Sequence, residues 1–364
     1  MPLRGASKEA SVLKRLGQGS GTPKSPYIED NLTLNNMMNK GVFGAIDFVK
    51  DVTGTTDDSS DKKKPGGPGY ASFLFLGMDC ASDKDVNLAE DLLERVVRPR
   101  KGKGQSTAIG LAFAPLSIQK DLDAYLRSTD IDASSEENLT TALTQVGVPP
   151  EIIAAQWPLM RLAKSSGLSL LALAPEPGDV LTVRKEGLQN VDAGRRGVYV
   201  ADAAGFIEWT RDEKSRLYTD KSLLKDWVPP ASEKDSDQPG DFFAERILVH
   251  ETIATTMAQY AVLRPDSLVV GIVPTADVRF LGGPNGRIPR ICRFLSPDSV
   301  IDEDAVTTVL INPTAQATLS KSRFLRLEIG TAPKNLQYQT KVADYLWFSD
   351  VPKVNLLPRM MNGF

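Results

Sequence analysis

Residues 71–78 read ASFLFLGM, an apolar run with no polar residue at every second place. A strand with one wet face alternates; a run such as this is covered on both faces, as in a parallel sheet held between helices. Directly after it Ser82 stands at a helix N-cap, with Asp85 in the capping-box position. Val86, Ala89, Leu92, Leu93, Val96 and Val97 then supply one apolar face. A strand and its following helix are thus legible from a single short stretch.

The pattern continues down the chain. TAIGLAFAP from Thr107 reads as a second strand, IQKDLDAYL as a short helix, and SSEENLTTALTQVGV and PPEIIAAQWPLMRLAKSSG as two more. Gly167 is placed as a C-terminal glycine stop before LSLLALAP, Leu168–Pro175, a third buried strand. A polar, turn-rich stretch from about 187 to 240 reads as an inserted layer. Phe242–Leu263 predicts a long amphipathic helix, and SLVVGIVP, Ser267–Pro274, a fourth buried strand. RFLGGPNGRIPR follows as a glycine-rich loop with positive-φ positions, and AVTTVLIN and FLRLEIG add two strands. This order predicts an α/β fold, a largely parallel sheet flanked by helices with a helical and loop insertion. Ligands of such sheets bind where strands end, which points to GMDCA, AFAPL and VPTADV.

Outside that body, residues 1–29 read as disordered and 30–52 as an amphipathic helix carrying Leu34, Met37, Met38, Val42, Phe43, Ile46, Phe48 and Val49. Residues 53–69 read as a Gly/Pro linker, and 70–364 as the folded domain. The basic N-terminus resembles the trimmed end of an organelle-targeting region.

Composition narrows the function. A net charge of −3 with 41% hydrophobic and 24% charged residues fits a globular protein and argues against an electrostatic grip on nucleic acid. The basic run RPRKGKGQ from Arg98 reads as a solvated loop, with a phosphate-binding patch as the alternative. Two distant cysteines, Cys80 and Cys292, imply no disulfide framework, and no apolar run approaches the roughly 20 residues of a transmembrane helix.

The chain's one histidine lies in HETIA, residues 250–254. A zinc-protease helix needs a second imidazole four residues on, where this chain has Ala254. A Ser-His-Asp triad would also have to use His250, and no G-x-S-x-G elbow is present. LGGPNGR lacks the lysine and hydroxyl of a P-loop, though Arg279, Arg287 and Arg290 around it suit an anionic group. Asp79, Asp83, Glu251 and Asp277 lie near strand ends, where carboxylates act as cation ligands, acid and base, or plain helix caps.

From Ala71 to about Pro313 the chain resembles the ChaN-like haem-binding-uptake domain of the Tiki superfamily. FLFLGMDCASDK, TAIGLAFAPLSIQKDLDAYL, QWPLMRLAKSSGLSLLALAPE with FFAERILVHETIATTMAQYA, and SLVVGIVPTADVRFLGGPNGRIPR carry the likeness. NPTAQATLS and ADYLWFSDVPKVNLLPRMMN resemble the plant and algal plastid versions. The resemblance implies a pocket at the strand ends, lined here by Met78, Asp79, Cys80, Ala112, His250, Glu251 and Asp277, with Arg279 and Arg287 as anion-binding residues.

Hydrolases of the superfamily use a G-E-x-H turn, a glutamate on the second strand and a late histidine. Gly77-Met78-Asp79-Cys80, Ala112 and Asp277 stand at those places, and the family's W-D-E-T-M-A becomes VHETIA, keeping Glu251. With Met and Ala at ligand positions, no catalytic residue and no metal centre is expected. The resemblance therefore implies a catalytically degenerate chloroplast protein, stromal or thylakoid-associated, that binds chloroplast proteins or a membrane-associated complex. The helix at 31–52 and LWFSDVPKVNLLPRMM are its candidate contact surfaces, and a homodimer is a candidate assembly. Haem or another tetrapyrrole is the candidate cofactor, with Cys80, His250 or a tyrosine as axial ligand. The alternative is a residual metal-dependent hydrolase built on Asp79, Glu251 and Asp277.

Overall fold

The computed structural model describes residues 12–15, 72–128, 133–212, 215, 239–299, 301–313, 343 and 345–348. The expected helix at 30–52, the linker at 53–69 and the strand FLRLEIG lie outside these residues.

Seven strands form one sheet: β1 (Val12–Arg15), β2 (Ser72–Met78), β3 (Thr107–Pro115), β4 (Ser169–Ala174), β5 (Leu268–Pro274), β6 (Val306–Ile311) and β7 (Tyr345–Phe348). Their order is β1-β7-β6-β2-β5-β3-β4. All neighbours run parallel except β1, which pairs antiparallel with β7 at the edge. Those four residues lie inside the stretch expected to be disordered. The fold is the α/β, largely parallel arrangement that the unbroken apolar runs dictate. β2 and β5 sit centrally, and Leu74, Leu76, Val270 and Ile272 are fully buried there. Each such side chain contributes about 1.5–3 kcal/mol by leaving water.

Helices cover both faces. On one lie α1 (Asp83–Gly102), α2 (Gln119–Arg127), α3 (Ala133–Gln145) and α4 (Pro150–Ser166), packed on Leu74, Leu76, Met78, Ile109, Leu268 and Trp347. After β4 comes α5 (Pro177–Glu186), and the inserted stretch itself contributes α6 (Ala193–Tyr199) and α7 (Ala203–Arg211). The other face carries α8 (Pro239–Leu263), the four-residue helix α9 (Thr275–Val278) and α10 (Pro284–Leu295). Part of the turn-rich stretch is therefore helical: its Val191, Tyr199 and Val200, with Val183 of α5, bury themselves around Leu248 of α8.

Local chemistry sets the boundaries. The Ser82 hydroxyl accepts from the Asp85 N–H at 3.3 Å, but the Asp85 carboxylate turns to the Asp79 N–H and to Asn312, so the capping box is half made. Gly167 ends α4 at φ 69°, and Leu168 N–H reaches back to Ala163 O at 2.8 Å. α8 departs from simple amphipathicity. From His250 to Ala261 nearly every residue is buried, because the helix is enclosed by β4, β5, α5, α6 and α10.

Two further expectations change. The basic run is not wholly a loop: α1 continues to Gly102, and Arg100 is 1% exposed. The glycines of LGGPNGR are needed for close approach rather than for positive φ. A Cβ on Gly283 would lie 1.6 Å from Asp277 O, and one on Gly286 1.9 Å from Leu281 O, while the positive φ falls on Leu281 itself.

β4 is an edge strand, and its open side is filled by one side chain. Gln119 donates from Nε2 to Leu170 O at 2.9 Å and accepts from Ala172 N–H at 2.8 Å, standing in for the peptide group of a missing neighbour.

Candidate functional site

α8 runs past the carboxyl ends of the central strands and presents Arg246, His250 and Glu251 there. β5 ends at Pro274 and turns at once into α9, which carries Asp277; α10 then brings Arg287 and Arg290 back against α8. These side chains form a buried charged network. Asp277 Oδ1 receives Arg246 Nη1 at 2.9 Å and lies 3.1 Å from His250 Nε2. Glu251 accepts Arg287 Nη1 on one oxygen at 2.9 Å and Arg290 Nη2 on the other at 2.6 Å. Arg290 Nη1 continues to the Asp202 carboxylate at 2.7 Å, and Asp202 caps α7 by accepting the Gly205 N–H. Asn285 ties the turn to the sheet through Val278 O and Thr308.

Burial and charge set the protonation states. Burial pushes the His250 imidazole below its ordinary range, against the pull of Asp277 and with help from Arg287 and Arg246. The ring is neutral, and with a carboxylate at Nε2 the proton sits on Nε2. His250 Nδ1 is then a lone pair, buried and without a partner among the described residues. Burial alone would raise Asp277, but Arg246, His250 and Arg279 together hold it below the usual carboxylate range. The Cys80 thiol is pushed up to about 12 by burial, with Asp277, Asp79 and Asp85 adding to the effect. It therefore stays S–H at neutral pH, far from the thiolate a nucleophile or metal ligand requires.

The residues expected at the pocket divide between the faces of the sheet. Met78 and Cys80, 1% and 8% exposed, belong to the core under α1 and α4, where Gln156 Nε2 donates to Cys80 O at 2.8 Å. Ala112 packs on the opposite core with Ile253 and Ala254. His250, Glu251 and Asp277 join the charged network, and Asp79 is exposed. Arg287 and Arg279, expected to meet an external anion, are 1% and 2% exposed; Arg287 is paired with Glu251, and Arg279 acts on Asp277. Among the described residues no group of three His, Cys, Asp or Glu is arranged to hold a metal ion. In the C-terminal contact segment, Leu346–Phe348 is part of β7 with Trp347 buried; the remainder lies outside the described residues.

Sequence reasoning missed Arg246, Arg290 as a network member, Asp202 and Gln156. Two had a signal: Arg246 precedes His250 by four residues, and Arg290 follows Arg287 by three, both spacings that share a helix face.

The fold and site define a class, an α/β protein whose parallel sheet ends in a self-neutralised cluster of charges. The chain belongs to the family described as haem-binding uptake, Tiki superfamily, ChaN, whose profile matches residues 70–279. No curated protein matches it. Similar solved structures include one of cofacial haem binding to ChaN of Campylobacter jejuni, 12% identical with a TM-score of 0.49. That match covers 85% of this chain and 93% of that one. A mutant erythromycin esterase in its open conformation is 15% identical with a TM-score of 0.35, over 77% of this chain and 74% of that one. No described helix is long and apolar enough to cross a membrane.

Proposed function

We propose that this chain is a ChaN/Tiki-fold binding protein of the chloroplast that has lost the superfamily's hydrolytic chemistry and acts as a protein-interaction or assembly factor. The observation that carries the reading is Glu251, the residue retained from the family's helix. Both of its carboxylate oxygens are taken by arginines of the chain itself. A carboxylate so held is neither a general base nor a cation ligand. Met78 and Cys80, at the family's Glu and His places, are core residues. The plastid setting, stromal or thylakoid-associated, rests on the likeness of NPTAQATLS and the C-terminal segment to plastid members. Chloroplast proteins or a membrane-associated complex are the proposed partners. Pull-down from chloroplast membranes with the full chain should recover a reproducible partner; recovery of none would defeat the reading.

A second reading, binding of haem or another tetrapyrrole, is favoured by the family match and by one atom. His250 offers a neutral Nδ1 lone pair while Asp277 holds Nε2, the carboxylate–histidine pairing that orients iron and zinc ligands. His250 is fully buried, so this ligation requires α8 to part from its neighbours. Haemin titration should give a Soret shift at micromolar ligand that His250→Ala abolishes; no shift in the parent chain removes the reading. The residual-hydrolase alternative would require stoichiometric metal in the purified protein, lost in Glu251→Ala and Asp277→Ala.

A further inference from the structure

α7 is tied to α10 at both of its ends. Asp202, its N-cap, receives Arg290 Nη1 at 2.7 Å, and Trp209 in its last turn sets its ring 5.7 Å from the Arg287 guanidinium. A glycine stands at each contact. A Cβ on Gly205 would lie 2.9 Å from Arg290 Cδ, and one on Gly286 3.1 Å from Trp209 Cη2. The same two arginines share Glu251 beneath them. Yet α7 itself is lightly enclosed. Of Ala203–Arg211 only Gly205 is buried, Phe206 is half-buried and Ile207 is 48% exposed. An element with so little buried apolar surface opens at low free energy.

We propose that the Arg287–Arg290 face of α10 is a binding site for an aromatic carboxylate, covered by α7 with an internal copy of that ligand. Asp202 is the carboxylate of the copy and Trp209 its ring. A guanidinium recognises both groups, taking carboxylate oxygens along its N–H bonds and a flat ring across its face. Arg287 and Arg290 lie three positions apart on one helix, which sets the ring and the carboxylate of the ligand about 5–6 Å apart. Glu251 and Asp202 together balance the two arginine charges. An incoming carboxylate therefore replaces Asp202 with the balance kept, whereas an uncharged arene would leave one arginine uncompensated. Because the ligand must displace α7, its apparent affinity is lowered by the fraction of chains in which α7 stands away. The site uses neither His250 nor iron, and so goes beyond the tetrapyrrole reading.

Isothermal titration of the full chain with phenylpropionate tests this, with uncharged phenylpropionamide as the control. Asp202→Asn keeps an N-cap for α7 but removes the charge that Arg290 holds; Trp209→Ala removes the ring. The double variant should bind phenylpropionate about tenfold more tightly than the parent, the weight of one hydrogen bond to a charged group. It should not bind the amide. In the parent, phenylpropionate should raise hydrogen exchange across Ala203–Arg211, and the amide should leave it unchanged. Equal affinity in parent and double variant overturns the proposal, as does absence of saturable binding by the double variant up to about 10 mM. Should the double variant fail to fold, exchange in the parent decides: an α7 indifferent to phenylpropionate overturns the proposal. Neither a partner protein nor haem enters the test, so its failure leaves the proposed function standing.

Discussion

His250 holds Asp277 through Nε2 at 3.1 Å while its Nδ1 faces no partner among the described residues. The imidazole therefore spends its one N–H on a buried carboxylate that Arg246 also holds. A dyad of this kind fixes the turn after β5 against α8, and its stability depends on proton occupancy.

The pH dependence can be read cleanly, since the sequence has one histidine. Its folded pKa lies below the unperturbed 6.5, so on acidification the unfolded chain takes up this proton first. The contribution of neutral His250 is fully present above that value and is lost as pH falls toward the folded pKa. Asp277 is likewise depressed below 3.8, so its contribution holds above that value and is lost as pH falls through its lower folded pKa. Thermal midpoints from about pH 8 to about pH 3 should fall in two stages. His250→Gln, which keeps a donor toward Asp277, should flatten the upper stage. Persistence of that stage in the variant would refute the assignment.

Glu251→Gln should be costly. It leaves Arg287 and Arg290 without their shared carboxylate in a buried place, a change of about 3–5 kcal/mol. Urea unfolding gives the value, and a loss under about 1 kcal/mol would mean that the network is wet and weak.

Asp202 joins the insertion to the core, because it caps α7 and receives Arg290. Asp202→Ala should cost about 1–2 kcal/mol through the cap and raise hydrogen exchange across Ala203–Arg211. The His250 stage of the pH profile should not move. Unchanged exchange in α7 would show that the helix is held by its other contacts.

Gln119→Ala removes both bonds to the outer side of β4. Two buried backbone groups lose their partners, at about 1–3 kcal/mol for each group left unsatisfied, and the strand edge becomes open to pairing. Lower urea midpoints and self-association in sedimentation are expected. Parent-like behaviour in both would show that α2 shields β4 without the amide.

Much of the fold was legible because the central strands announce themselves. FLFLG and LVVGIV tolerate no other placement than a sheet covered on both sides, and Gly167 stops its helix as read. Misreadings came where tertiary contact outweighs local chemistry. Pro284 starts a helix inside what looked like a loop, since Gly283 and Gly286 admit the Asp277 and Leu281 carbonyls. Arg100 carries the same charge as its exposed neighbours, and only the strand starts beneath it make it an interior residue. At the site, residue types were readable but pairings were not. Glu251 could be recognised along the chain, whereas its two arginines come from a helix 36 and 39 positions away.

The strand order also has a consequence for the making of the protein. β2 hydrogen-bonds to β5 and β6, both of which come much later in the chain. From Met78 to Leu268 roughly 190 residues must emerge before β2 meets a partner, some 10–40 s at ordinary rates of synthesis. Through that interval FLFLG, an unbroken apolar strand, hangs unpaired from the ribosome. The stretch that makes the fold readable is thus the one a nascent-chain chaperone has most reason to hold.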